Sequence, residues 1–147
     1  MEKTNVKYNA YIKILEEELR PAMGCTEPIA LAYAAAVARK VLGELPDKVV
    51  IGASGSIIKN VKSVIVPNTD HLKGIPAAAA AGIVAGDPDK ELEVIASVEK
   101  EAIAEMKEFL KKTPISVEHV DNGFTFEIVV TLYKGEAWSR VRIVNFH

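Results

Sequence analysis

The sequence predicts an α+β fold, in which helices pack on one face of a mainly antiparallel sheet that ends in a three-stranded meander. Residues 28–38 carry no charge and include many alanines, which is typical of a helix buried on every side. Beyond Pro114 the periodicity changes to two, because apolar and polar side chains alternate over residues 124–132. Helices followed by a run of strands favour an α+β domain.

Two helices are expected in the N-terminal part of the chain. The first precedes Pro21, because proline cannot continue a helix. Its apolar side chains at helical spacing are Tyr8, Tyr11, Ile12, Leu15 and Leu19. The second covers residues 29–41, with Thr26 or Glu27 as its cap and Pro28 in its first turn.

The middle of the chain predicts a strand and two further helices. Residues 48–53 favour the strand, and the Ser-Gly-Ser sequence at 54–56 is typical of a turn. Residues 57–66 fit either a strand or a helix. A short helix is expected over residues 77–81, ended near Gly86, and the longest helix is expected from Asp87 to about Lys112.

The C-terminal part predicts the meander. Its strands are expected at about 115–121, 124–133 and 136–146. The Asn-Gly pair at 122–123 and the Lys-Gly pair at 134–135 are typical of hairpin turns between successive strands.

Composition indicates one domain over residues 1–147. The 147 residues are 49% hydrophobic, with 18 basic and 20 acidic side chains and a net charge of −2. This balance gives no reason to expect nucleic acid or a membrane as a partner. One cysteine excludes an internal disulfide and indicates a reducing compartment, the cytoplasm.

Cys25 lies at the predicted start of the second helix, in the sequence Gly24-Cys25-Thr26-Glu27-Pro28. Free backbone N–H groups and the positive end of the helix favour a thiolate there. Such a thiolate is suited to act as a base, a nucleophile or a metal ligand. The alternative is a small buried thiol that fills a tight turn. A pair of Cys25 with His71, as in thiol hydrolases, is a further alternative.

Two polar clusters follow in the sequence. Lys59 and Asn60 offer a cation and an amide that suit a small carboxylate. Residues 67–71 and Lys73 form the second cluster, just before a glycine- and alanine-rich helix start that suits an anion. The three histidines are scattered, so no zinc site is expected within the chain.

Three sequence blocks together resemble the N-terminal half of the L-cysteine desulfidase family, relatives of the iron–sulfur L-serine dehydratases. The blocks are Arg20-Pro21-Ala22-Met23-Gly24-Cys25-Thr26-Glu27-Pro28, Lys59-Asn60-Val61, and Val66-Pro67-Asn68-Thr69 followed by Lys73-Gly74-Ile75. The resemblance implies a lyase of amino-acid catabolism that performs α,β-elimination on L-cysteine, giving sulfide, pyruvate and ammonia, or on L-serine. It covers essentially the whole chain, and the first block is its most specific part.

The resemblance also implies roles for individual residues. Cys25 matches the base that removes the substrate α-proton. The positions expected to bind the substrate carboxylate or amine are Lys59, Asn60, Asn68, Thr69 and Lys73. The family uses a [4Fe-4S] cluster held by three cysteines of its C-terminal half, and this chain has no such cysteines. No metal ligand is therefore expected here.

The missing ligands lead us to expect that the chain is the N-terminal part of a longer protein and is inactive by itself. Its expected partners are an amino-acid substrate, a cluster-bearing C-terminal half or subunit, and further copies of the chain. Two other functions stay open. One is a non-catalytic module that binds an amino acid or another subunit, and the other is a cysteine hydrolase that uses Cys25.

Overall fold

The computed structural model describes residues 9–15, 27–62, 64–66, 69, 71–89 and 100–145. Strands and helices of these residues pack together as the predicted α+β class requires. The strands are β1 (Asn9–Leu15), β2 (Lys48–Ala53), β3 (Ile115–His119), β4 (Glu127–Lys134) and β5 (Ala137–Val144). The helices are α1 (Glu27–Leu42), α2 (Gly55–Val61), α3 (Gly74–Ala85) and α4 (Lys100–Lys112).

The strands of the described residues form one mixed sheet in the order β1-β5-β4-β2-β3. Strand β4 is antiparallel to β5 and to β2, whereas β1 runs parallel to β5 and β3 runs parallel to β2. The expectation of a mainly antiparallel sheet is therefore wrong. The predicted meander is also wrong, because β2 lies between β3 and β4 and the Asn-Gly pair at 122–123 does not join neighbouring strands.

Residues 9–15 form a strand where the sequence predicted a helix. Ile12 and Ile14 pack against the core, while Tyr11 between them is 49% exposed. The segment offers apolar side chains at helical spacing, Tyr11, Ile12 and Leu15, and at strand spacing, Ile12 and Ile14, so local spacing does not separate the two structures. Pairing with β5, in which Ile12 lies opposite Val141, favours the strand. Residues 16–26, which include the end of the predicted helix, lie outside the described residues.

Helix α1 confirms the predicted uncharged helix and covers the sheet. It packs against β4 and β5, and the Ser139 hydroxyl of β5 donates a hydrogen bond to the backbone oxygen of Ala38, at 2.8 Å. The strand residues that face it form continuous apolar rows across the sheet, such as Ile51, Val130 and Val141. Gly43, at φ 91°, ends the helix in a conformation that favours glycine.

Helix α3 packs against α1 with very small side chains between them. A Cβ atom added to Gly82 would overlap the backbone oxygen of Ala32 on α1. One added to Gly86 would lie 2.9 Å from the Cβ of Ala36. The helix predicted at 77–81 and ended near Gly86 is thus confirmed, and its alanines and glycines let the two backbones approach closely.

The remaining local expectations concern residues 54–66, the long helix from Asp87 and the hairpin at 134–135. Ser54 is the N-cap of α2 and not the first residue of a turn, and the region 57–66 is helical up to Val61. The long helix expected from Asp87 is described only as α4, since residues 90–99 lie outside the described residues. The hairpin at Lys134-Gly135 is confirmed, because Lys134 pairs with Ala137 across a turn with Gly135 at φ 61°.

The sheet face opposite α1 carries a polar network around one buried carboxylate. Glu127 is 1% exposed and accepts hydrogen bonds from Arg142 at 2.8 Å and from Asn122 at 3.1 Å to each oxygen. The Tyr11 hydroxyl and then Glu127 raise the pKa of Arg142 above its ordinary value. The hydrogen bonds from Arg142 and Asn122 offset the cost of burying the Glu127 carboxylate in this sheet face.

Candidate functional site

Four of the six predicted site residues lie in described parts of the chain. These are Lys59, Asn60, Thr69 and Lys73. Cys25, the predicted base, and Asn68 lie outside the described residues, so their roles stay predictions.

The first turn of α1 lies beside the last turn of α2. The side-chain amide of Asn60 donates a hydrogen bond to Oε2 of Glu27, at 3.4 Å. The distance is at the long end for a hydrogen bond, as expected for a contact between solvent-exposed side chains. Glu27 stands near the end of the first sequence block, so this contact joins the described end of that block to the Lys59-Asn60 block.

The start of α3 lies next to the chain that leaves α2. The backbone N–H of Gly74 donates to the backbone oxygen of Val64, at 3.1 Å, and Lys73 pairs with Ile65 in an isolated bridge. Gly74 has φ 90°, and a Cβ atom there would lie 3.3 Å from the backbone oxygen of Lys62. Glycine is thus required for the chain to enter α3 at this point.

We call four residues near these helix ends the polar end of the helices: Glu27 and Asn60, which are in contact, Lys59, which precedes Asn60 in α2, and Lys73, which precedes α3. They come from three segments that are distant in sequence. Lys59, Asn60 and Lys73 are exposed, and Glu27 is half-buried. One carboxylate, two ammonium groups and an amide form a set that can bind both ends of a zwitterion.

Thr69 is placed differently from the other predicted site residues. It is fully buried, and its hydroxyl donates a hydrogen bond to the backbone oxygen of Val66, at 2.7 Å. The hydroxyl proton is therefore used to close the loop before α3. The substrate-binding role of Thr69 stays a prediction.

Sequence reasoning missed Glu27 as a member of this cluster. The residue was interpreted only as a helix cap, although it stands in the same five-residue block as Cys25. A carboxylate in the first turn of a helix is also favoured by the helix dipole, so its type alone did not indicate a site.

The described residues contain no group of three or more His, Cys, Asp or Glu side chains that could hold a metal ion. Within the same parts of the chain, none of the helices has the length and the apolar character needed to cross a membrane.

The fold and the site define an α+β domain in which the start of α1 contacts the end of α2 through Glu27 and Asn60. Its relatives include UPF0597 proteins of three bacteria. The identity is 52% over 147 residues for Desulfitobacterium hafniense, 46% over 140 for Lachnoclostridium phytofermentans and 48% over 125 for Treponema denticola. These alignments cover 100%, 95% and 85% of this chain but 34%, 34% and 29% of the relatives. The chain thus spans about a third of the length of the curated relatives it matches. No protein-family model and no solved structure matches the chain.

These relatives overturn the resemblance to the L-cysteine desulfidase family. Over nearly the full chain the sequence is similar to proteins that carry the UPF0597 name, which states no catalytic activity. Part of the most specific block has an ordinary structural origin, because Glu27 and Pro28 are residues that commonly start a helix. Short blocks of this kind do not identify a family by themselves.

Proposed function

We propose that the protein is a lyase that performs α,β-elimination on a small L-amino acid, L-cysteine or L-serine, and that the polar end binds this substrate. The observation that carries the proposal is the hydrogen bond between Asn60 and Glu27. It joins two segments that the sequence had marked separately as candidates for chemistry. Since the chain spans about a third of its relatives, the activity belongs to the protein as a whole.

The charges of the polar end support a specific orientation of the substrate. Glu27 supplies a carboxylate for the substrate ammonium group, and Lys59 and Lys73 supply cations for its carboxylate. Asn60 donates to Glu27 and so fixes the carboxylate that receives the ammonium group. An amino acid held at both ends presents its α-carbon in one defined position, which is the condition for proton abstraction.

In this proposal the thiolate of Cys25 removes the α-proton. The electron pair left on Cα forms the Cα–Cβ double bond, while the Cβ–S or Cβ–O bond breaks. The leaving group departs as hydrosulfide or hydroxide. The resulting 2-aminoacrylate tautomerises to the imine, which water hydrolyses to pyruvate and ammonia. No oxidant or reductant is consumed.

The resemblance implied a [4Fe-4S] cluster in the complete enzyme, with no ligands for it in this chain. Such clusters are held by several cysteine thiolates, and the chain has one cysteine. The described residues offer no alternative group of three ligands. We therefore assign no step to the cluster, whose ligands would have to lie outside this chain.

The test uses the protein expressed from its complete gene and purified without oxygen. We expect pyruvate release from L-cysteine or L-serine, and a loss of about a hundredfold or more in Cys25→Ala, the usual scale for a missing general base. Asn60→Asp places a second carboxylate against Glu27, and we expect KM to rise about tenfold or more. The double variant Glu27→Gln/Asn60→Asp reverses the donor and acceptor, and it is expected to recover part of that loss.

The matched control is Asn9→Asp, because Asn9 uses its side-chain oxygen to accept a hydrogen bond from the backbone N–H of Trp138 on the sheet. An aspartate keeps that acceptor, so KM should not change. The proposal fails if Cys25→Ala keeps full activity, or if Asn60→Asp and Asn9→Asp behave alike. If calorimetry detects binding of L-cysteine that Asn60→Asp abolishes, but no product forms, the protein is a binding module.

A further inference from the structure

The sheet face opposite α1 carries three rows of side chains that the strand pairing places side by side. Helix α1 packs on the other face, where the Ser139 hydroxyl donates to Ala38, and α3 packs in turn on α1. Successive side chains of a strand point to opposite faces, so the neighbours of Ser139 in β5 point away from α1. We call the following residues the open face: Lys48, Tyr133, Trp138 and Asn9 in the first row, Val50, Thr131, Arg140 and Tyr11 in the second, and Gly52, Val129, Arg142 and Lys13 in the third.

Solvent reaches the open face, although its composition is not that of a solvated surface. Tyr11 is 49% exposed, Lys13 and Lys48 are exposed, and Trp138 and Arg140 are half-buried. The solvated face of a sheet is ordinarily polar, whereas this one sets aromatic rings among its cations. Tyrosine, tryptophan and arginine are the residue types enriched where proteins contact each other. The composition therefore indicates a contact surface.

The open face is positively charged. Its charged members are all cations: Lys13, Lys48, Arg140 and Arg142. Arg142 is bonded to the buried Glu127 of the adjoining row, at 2.8 Å. A covering surface without carboxylates would bury the other cations without a counter-ion, which is costly. The surface that covers this face therefore carries carboxylates.

Two of these cations are held in place on the face. The Nζ atom of Lys48 lies 5.2 Å from the ring centroid of Tyr133, and the guanidinium carbon of Arg140 lies 5.2 Å from that of Trp138. Both are cation–π distances. The Nε of Arg140 also donates to the Thr131 hydroxyl at 2.9 Å, which uses one of the five N–H groups of a guanidinium. Because these cations are ordered in advance, pairing them with carboxylates costs little further entropy.

Charge and size limit what the partner can be. A symmetric contact with a second copy would set the cations of one open face against those of the other. At about 4.8 Å between strands and about 3.4 Å per residue, three rows across four strands cover about 400 Å². Separate proteins that bind stably bury about 800 Å² on each partner. A covalently linked partner needs less area, because its effective concentration is on the order of millimolar.

We propose that the open face binds an acidic surface of the remaining part of the complete protein. The chain spans 34% of its Desulfitobacterium relative, so a complete protein of that length supplies such a part in the same polypeptide. Carboxylates of that part pair with Lys13, Lys48 and Arg140. Its apolar side chains contact the rings of Tyr11 and Trp138. The inference does not depend on the proposed lyase function.

The test labels lysines of the protein expressed from its complete gene with the N-hydroxysuccinimide ester of acetic acid. Mass spectrometry gives the acetylation rate of each lysine in the folded protein and in urea, and the ratio of the two rates corrects for intrinsic reactivity. We expect Lys13 and Lys48 to be protected about tenfold or more relative to Lys111, an exposed lysine of α4, because a paired carboxylate keeps an amine in its protonated, unreactive form. A carbodiimide, which joins a carboxylate to an amine in contact with it, should link Lys13 or Lys48 to an Asp or Glu outside residues 1–147 of the same polypeptide.

Charge reversal gives a second measurement. Lys48→Glu sets a carboxylate against the acidic surface and should raise the acetylation rate of Lys13, three strands away in the sheet, about threefold or more through repulsion between the two surfaces. Lys111→Glu, the matched reversal on α4, should leave that rate unchanged.

Four results would overturn the proposal. Lys48 is acetylated as fast as Lys111, or the two charge reversals have the same effect on Lys13. The carbodiimide links the open face only to a second polypeptide. A single-stranded oligonucleotide slows the acetylation of Lys48, since the face would then be uncovered in the complete protein and suited to nucleic acid.

Discussion

Helices α3 and α4 pack against each other but differ in how they use their side chains. Nearly every residue of α3 from Gly74 to Ile83 is buried, and the helix carries no charge. In α4 only Met106 and Phe109 are buried, and the other faces are rich in Lys and Glu. Helix α3 packs with its backbone close to that of α1, so it is intolerant of added atoms. Helix α4 packs through a few large side chains, so it tolerates substitutions on most of its exposed surface.

The largest effect is expected where a side chain is added to the α1–α3 contact. Gly82→Ala places a Cβ atom against the backbone of Ala32, which cannot rotate away. We expect the free energy of unfolding to fall by about 3 kcal/mol, the upper end of the usual cost of overpacking. Urea unfolding followed by circular dichroism measures this.

Gly55→Ala is the matched control for that variant. Gly55 begins α2 and is exposed, and its added Cβ atom would lie 3.4 Å from the side chain of His119. Alanine also suits a helix better than glycine, so the change should stay within about 1 kcal/mol. Equal effects of the two substitutions would show that the close approach of α1 and α3 does not limit stability.

A smaller effect is expected where atoms are removed from α4. Met106 is fully buried, so Met106→Ala leaves a space in the core. We expect a loss of about 2 kcal/mol, the lower end for such truncations, because α4 is free to shift inward from its solvent side. The same unfolding experiment applies, with Ala104→Gly as a control on the exposed face, expected to cost about 1 kcal/mol through helix propensity alone. A loss in Met106→Ala above that in Gly82→Ala would reverse the comparison.

The smallest effect is expected at the exposed ion pair between Lys40 of α1 and Asp89, which follows α3. Lys40 donates to Asp89 at 2.9 Å, and this hydrogen bond raises the pKa of Lys40 above 10.5. A raised pKa in the folded state means that the pair stabilises the fold below pH 10.5 and that this contribution is lost as pH rises through the folded-state pKa. Asp89→Asn should thus lower Tm slightly at neutral pH and lose its effect at high pH.

Salt and a second variant sharpen this last prediction. Both side chains are largely exposed, so about 1 M salt should remove most of the difference in Tm. Asp121→Asn removes an exposed carboxylate of the chain that precedes β4 and should show no such pH dependence. A Tm difference for Asp89→Asn that persists both at high pH and at high salt would mean that the ion pair with Lys40 is not its cause.

The structure also separates what local sequence could predict from what it could not. The uncharged run of α1 and the alternation in β4 are properties of the segments themselves, and both elements were predicted correctly. The helix predicted over residues 9–15 was wrong, because Tyr11, Ile12 and Leu15 fit a helical period while Ile12 and Ile14 fit a period of two, and only pairing with β5 decides between them. The position of β2 between β3 and β4 likewise depends on which strands pair, and the sequences of these strands do not indicate it.

The same limit applies to the candidate site. Lys59, Asn60 and Lys73 were marked by their residue types, but the contact of Asn60 with Glu27 at the start of α1 depends on how α1 and α2 pack. Likewise, nothing in the spacing of Arg39 and Lys112 indicates that α1 and α4 bring them to one cavity.

The parallel pairing of β1 with β5 has a consequence during synthesis on the ribosome. The residues of β1 leave the ribosome first, while their partners, Ala137–Val144, are among the last of this chain to be made. At a synthesis rate of about 5–20 residues per second, β1 is made on the order of ten seconds before β5, with which it pairs. During that time the alternating apolar side chains Ile12 and Ile14 lack β5, the strand with which β1 pairs in the folded protein. The nascent chain is therefore exposed to chaperones and to wrong pairing at β1.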